Sequence, residues 1–230
     1  MYQLGRDSSQ PKENTVDAAA DVLADEVQQV VTVKKLAVVV VVAAAMIPVA
    51  VLSHELGHLS GYFAFGFPSP VLHYGSSSFE GESEFWGALR DGDTAAANAR
   101  VDVRAAGLCA AFGLLVSYIT IGLGLLAFRR FGDMSALCLA VAAAARFPLI
   151  LVLALLGRAE HTDEAHVAQA LGLPFLALVM LAVAALCLAT IGSYRILPAA
   201  NRGKLLAAIL VGAAIGTITW LGLVGPLVLP

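Results

Sequence analysis

Five long apolar stretches, separated by short polar segments, dominate the chain, and each is long enough for a helix of roughly 20 residues to cross a bilayer. The first runs from Leu36, just after Lys34 and Lys35, to about Gly66; the second covers about Ala105 to Phe128. The third spans Met134 to Leu156, the fourth Pro174 to Leu197, and the fifth Leu205 to about Leu229. Ahead of them, Val16, Ala20, Leu23, Val27 and Val30 recur at helical spacing, with Asp17, Asp21 and Asp25 on the other side. That pattern predicts a short amphipathic helix capped by Asn14 or Thr15, behind a polar, disordered tail over Met1 to Asn14. Between the first two spans, Pro68 and Pro70 stop the helix, and Val71 to Phe79 reads as a weak hairpin interrupted by Gly75. Phe85 and Trp86 read as interfacial anchors in an otherwise polar approach to the second span.

Composition sharpens the class. Hydrophobic residues make up 59 % of the chain and charged residues 13 %; mean hydropathy is +0.83. A soluble domain carries about a quarter charged residues, so the sequence describes an integral, multi-pass membrane protein. The fold class expected is an all-α polytopic bundle of about five transmembrane helices, with a short β-like or irregular loop after the first. Two parts follow: a polar N-terminal segment over residues 1–33 and a membrane domain over 34–230. A net charge of -3 with scattered basic residues leaves no footprint for nucleic acid. Cys109, Cys138 and Cys187 fall inside apolar runs and read as small packing residues. The first thirty residues lack the apolar core of a cleavable signal peptide. With five spans, Lys34, Lys35, Arg129, Arg130, Arg195, Arg202 and Lys204 share one side, which the positive-inside rule assigns to the cytosol together with the N-terminus. The small size suits a prokaryotic plasma membrane.

The chemistry concentrates at the end of the first span, in Ser53-His-Glu-Leu-Gly-His58. On a helix, His54 and His58 lie four residues apart and project from one face, where both imidazoles can bind one metal ion. Glu55 sits one position round from His54, placed to reach a water on that metal without being a ligand. Two histidines and a carboxylate are costly within lipid unless something binds or pairs with them. Gly57 and Gly61 form a small-residue stripe that lets another helix approach the same face.

A catalytic zinc ion usually takes three protein ligands, so one more donor is required. Asp163, in Ala159-Glu-His-Thr-Asp-Glu-Ala-His166 after the third span, is the first choice. The first and third spans run in the same direction, which brings this segment to the membrane side of the histidines. Glu164, His166, Glu160 and His161 stand behind it, and Glu80, Glu82, Glu84 and His73 share that side. Arg146 is anomalous in mid-span, where an unpaired guanidinium costs several kcal/mol. Pro148 frees the carbonyl of Ala144 and predicts a kink; Arg146 has an acid, that carbonyl or the interface as its possible partners, with a structural pairing favoured over a catalytic oxyanion role. Pro48 frees the Ala44 carbonyl in the first span in the same way.

Taken together, the intramembrane Ser-His-Glu-Leu-Gly-His run resembles the site-2 protease family of intramembrane zinc metalloproteases. Ala105-Ala-Gly-Leu-Cys-Ala-Ala111 is similar to that family's Ala-Gly-Pro-x-x-Asn segment, with Leu108 at the Pro and Ala111 at the Asn. Thr162-Asp163 falls where the family places a ligand aspartate, and Glu164 stands where it has Gly. The resemblance covers roughly Leu36 to Asp163 and implies a divergent member. His54, His58 and Asp163 would bind Zn2+, and Glu55 would act as general base on a membrane-embedded or juxtamembrane peptide substrate. Two other functions compete: a non-catalytic membrane scaffold that retains the zinc site, and a small metal transporter. The absence of an internal repeat weighs against the transporter.

Overall fold

The computed structural model describes residues 32–229, so the expected tail and amphipathic helix over residues 1–31 lie outside the described residues. The remainder is the all-α bundle anticipated: five helical segments are long and apolar enough to cross a membrane. They are α1 (Val33–Ala64), α4 (Val103–Phe131), the α5–α6 pair (Met134–Ala144 and Arg146–Leu155), α8 (Phe175–Ile196), and α9 (Arg202–Thr219), which continues through a π-helical turn at Trp220–Val224 into α10 (Gly225–Val228). Their outward faces carry Val38, Val41, Leu115, Ile119, Leu123, Leu188, Ile191 and Ile218, each largely exposed. Such a surface suits hydrocarbon and would be costly in water.

Helix α1 forms the centre. Among its buried residues, Val39, Ala43, Ile47, Ala50, His54, His58 and Gly61 advance by three or four positions and draw one stripe along the helix, with Glu55, Gly57 and Tyr62 beside it. The histidine pair therefore continues the face that the apolar half already turns inward. Glycines decide what packs against it. A Cβ at Gly57 would come within 2.9 Å of the Phe112 carbonyl oxygen, and one at Gly61 within 2.9 Å of Cys109 Sγ, so α4 lies backbone-close to the lower half of α1. On the upper half, Gly216 of α9 faces the Ala44 carbonyl, where a Cβ would sit 2.5 Å from the oxygen. Pro48 denies that carbonyl its usual donor, yet α1 stays unbroken, and the gap is covered by the glycine surface of α9.

Capping residues set the other boundaries. Asp102 accepts from the Ala105 amide at the start of α4, and Gly132 ends that helix in the left-handed region at φ 71°. Asp133 accepts from the Ser135 amide and hydroxyl to open α5. The third span is not continuous: Ala145 interrupts it with an amide bond back to Ala142 over three residues, and Pro148 follows in the first turn of α6. The kink expected from Pro148 is thus a break, and it starts α6 at Arg146.

The segment between α1 and α4 departs from expectation. The hairpin is confined to β1 (Val71–Leu72) and β2 (Ser77–Ser78), paired antiparallel with Val71 opposite Ser78. Beyond it, the stretch read as a polar approach folds into α2 (Glu82–Arg90) and α3 (Thr94–Asn98). Phe85 and Trp86 are not interfacial anchors. They are 0 % and 6 % exposed and pack with Tyr62, Phe67 and Phe79 into an aromatic cluster. Aromatic rings of adjacent turns gain more by stacking edge to face in this cluster than by standing singly at a surface.

Candidate metal centre

His54 and His58 meet Asp163 as the helical spacing and the span topology anticipated. The two Nε2 atoms lie 3.1 Å apart. His54 Nε2 is 3.0 Å from Asp163 Oδ2, and His58 Nε2 is 3.4 Å from Oδ1. Among the described residues, this is the His/Cys/Asp/Glu group whose donor atoms converge closely enough to hold a metal ion. Two ligands bound about 2.1 Å from a tetrahedral ion are separated by roughly 3.4 Å, and the observed spacings of the donors approach that edge. The donor set, two imidazoles and a carboxylate, suits a borderline divalent ion.

Each imidazole is oriented from behind. Cys109 of α4 offers its carbonyl oxygen 2.8 Å from His58 Nδ1, and Ser117 its hydroxyl 2.9 Å from His54 Nδ1. When both Nδ1 atoms carry the proton and donate to these oxygens, both Nε2 lone pairs point at the shared position. Gly113 completes the seat. It lies between those two residues on α4, and a Cβ there would collide with His58 Nε2 and Cε1. The His58 ring rests directly on the helix backbone.

Asp163 arrives by a different route. Thr162 caps α7 (Asp163–Leu171), its hydroxyl facing the Ala165 amide, so Asp163 is the first residue of that helix. A carboxylate there lies in the favourable field of the helix N-terminus. Burial alone would raise its pKa, but the nearby His58 and Arg146 hold the carboxyl well below the usual range. Arg146 Nη2 donates to Oδ2 at 2.6 Å. Oδ1 is left to face His58.

Glu55 is 8 % exposed and lines the same cavity as the histidines. Ser77 of β2 donates to its Oε2 at 3.1 Å, which fixes the carboxylate beside the donor cluster. The cavity measures about 760 Å³ and is walled by α1, α4, α5, α6, the hairpin and the start of α7, with Leu149, Ile150 and Leu153 on its apolar side. Its aromatic rim comes from α2, where Trp86 stacks flat on His166 with centroids 4.0 Å apart.

The alternative third ligands do not join the converging donor group, although Glu82, His161 and His166 line the same cavity. His166 is held by that stack, and burial pushes its pKa down to about 4. His161 contacts Arg90 and Glu160 on an exposed edge. Glu80 accepts from Ser69, Glu84 from Ser83, and His73 faces Ser78. Glu82 accepts from Trp86 Nε1 and Tyr62, with its pKa raised by burial. Glu164 lies fully buried behind Arg146. Ser77, Ser117, Gly113 and the Cys109 carbonyl were not identified from the sequence. Ser117 sits eight residues after Cys109 on a helix, a spacing that gives both the same face, and this was the available signal.

The chain matches no protein-family model, no curated protein and no solved structure.

Proposed function

We propose that this protein is an intramembrane zinc metallopeptidase, in line with its resemblance to the site-2 protease family. It hydrolyses peptide bonds of membrane-embedded or juxtamembrane substrates, with Glu55 as general base. The observation that carries the reading is the convergence of His54 Nε2, His58 Nε2 and Asp163 at near-ligand spacing, with both Nδ1 atoms held by oxygens of α4. His54 and His58 on α1 and Asp163 on α7 would hold the ion. Charge supports this as well. Three carboxyl groups, Glu55, Asp163 and Glu164, gather around one guanidinium, Arg146, and a divalent cation offsets the excess where unpaired charge is costly.

Zinc, when bound, lowers the pKa of a coordinated water towards about 7 and polarises a carbonyl. The chain's own residues do the remainder. Glu55, oriented by the Ser77 hydroxyl, takes the proton from the attacking water and returns it to the leaving amine. The cavity, with the histidines on one wall and Leu149, Ile150 and Leu153 on another, is of a size to admit an extended peptide segment. Helices apolar on their outward faces deliver that peptide from the bilayer; the charge distribution favours a cytosolic N-terminus, and the small size suits a prokaryotic plasma membrane.

The test is zinc content and cleavage of a single-span reporter protein in proteoliposomes, for wild type and Glu55→Gln. The expected result is equal zinc in both and a loss of cleavage of about 10²–10⁴-fold in the variant. A non-catalytic scaffold, the reading favoured by Leu108 and Ala111 in the second motif, cleaves nothing in either form. A transporter moves zinc across the vesicle wall.

A further inference from the structure

We propose that Arg146 is a catalytic residue of this site: it donates hydrogen bonds to the peptide oxygen on which negative charge develops, and the buried Glu164 carboxyl holds it from behind. The inference rests on the hydrolytic reading above and adds to it a residue which that mechanism does not use.

Arg146 stands in the third span, where a guanidinium is costly unless it is put to use. The chain spends a helix break on placing it. Ala145 interrupts the span, Pro148 prevents its repair, and Arg146 becomes the first residue of α6, on the cavity wall. Its Nη2 is fixed by Asp163 Oδ2 at 2.6 Å. Its Nη1 lies 2.8 Å from His54 Nδ1 and close to Nε2 as well.

Glu164 is the second observation. It is 0 % exposed, and neither carboxyl oxygen has a hydrogen-bond partner. Burying such a group costs several kcal/mol unless a charge answers it. Arg146 Nη2 is that charge, 3.6 Å from Oε2. Glu164 does not line the cavity, so its place behind the guanidinium is otherwise unexplained. Two carboxyl groups, adjacent in sequence, therefore grip one planar head group from Asp163 and from the protein interior. A guanidinium has five N–H donors, and these contacts leave donors for the cavity. Donors fixed in advance, in a water-poor pocket, stabilise developing negative charge without reorganising at the moment of reaction.

The experiment uses the full chain in proteoliposomes, comparing wild type with Arg146→Met, Arg146→Lys and Glu164→Gln. Three quantities are read: zinc content, kcat and KM on the single-span reporter, and azide affinity of the cobalt-loaded protein from its visible absorption. The expected result for Arg146→Met is wild-type metal content, kcat lower by about 100-fold, little change in KM, and azide bound roughly tenfold more weakly. Arg146→Lys recovers part of both losses, and Glu164→Gln falls between it and wild type. Should Arg146→Met fail to fold, Arg146→Lys and Glu164→Gln decide the question on the same readouts. Metal lost in step with activity, or azide affinity and kcat both at wild-type values, overturns the proposal. A wild type that binds cobalt but cleaves nothing sinks the hydrolytic reading and the catalytic role with it; the azide series then separates that outcome from a misplaced arginine.

Discussion

Gly113→Ala tests the seat of the metal centre with a single methyl group. In the structure, the added Cβ would lie 2.8 Å from His58 Cδ2 and nearer still to Cε1 and Nε2, whereas ordinary contact begins at 3.4 Å. The ring must therefore retreat by at least 0.6 Å at Cδ2 and further at the nitrogen that serves as ligand. Metal–ligand distances tolerate only about 0.2 Å. The same retreat strains the 2.8 Å hydrogen bond from Nδ1 to the Cys109 carbonyl. We expect zinc affinity to fall by about 100-fold, the upper end of what disturbing ligand orientation costs, with cleavage lost in parallel. Gly122→Ala is the control: it lies on the same helix, and its Cβ meets nothing within 4 Å, so zinc binding stays at the wild-type level. The assay is competition with a chromophoric chelator on both purified variants, with circular dichroism to verify the helical fold. Zinc held by Gly113→Ala as tightly as by Gly122→Ala would refute the placement of His58 against α4.

Three further outcomes follow from the geometry. Ser117→Ala removes the acceptor of His54 Nδ1 and should weaken zinc by roughly tenfold, whereas Ser117→Thr retains it; the chelator competition reads both. Gly216→Leu drives a side chain into the Ala44 carbonyl and should destabilise the bundle by about 1–3 kcal/mol or more, seen as a lower unfolding midpoint in mixed micelles, while Gly203→Ala, in open space, leaves it unchanged. His166 is held neutral by burial, its pKa at about 4 rather than 6.5, so below 6.5 the unfolded chain takes up a proton that the native state refuses. Stability is therefore lost as pH falls from 6.5 towards 4, and His166→Phe, which preserves the stack on Trp86, should flatten that decline in thermal unfolding; an equally steep loss in the variant would show that another group is responsible.

The long apolar runs and the His-Glu-x-x-His spacing were legible because both are periodic features of one helix. The segment of Asp163 was legible for a different reason: the span count puts residues after the third span on the side of the histidines, and the family resemblance marked Asp163 among them. What stayed hidden depends on pairs of helices. Gly113 looks like any glycine in a membrane helix until His58 is seen to rest on it. Ser117 and the Cys109 carbonyl become meaningful only when the rotation of α4 about its axis is known. Phe85 and Trp86 were misread because an aromatic pair near a span carries the same pattern whether it meets headgroups or closes a small core. Glu164 was weighed as a ligand, and only three-dimensional packing turns it away from the cavity and towards Arg146.

His54 and Asp163 are 109 residues apart in the chain and 3.0 Å apart in space. During biogenesis the first helix must therefore enter the bilayer, wait while two more are threaded and turned, and then receive its carboxylate from a segment the ribosome makes much later. A nascent chain cannot assemble the donor set until that segment has been inserted and docked. On the proposed reading, hydrolytic competence would be deferred by topology alone until the third span is in place.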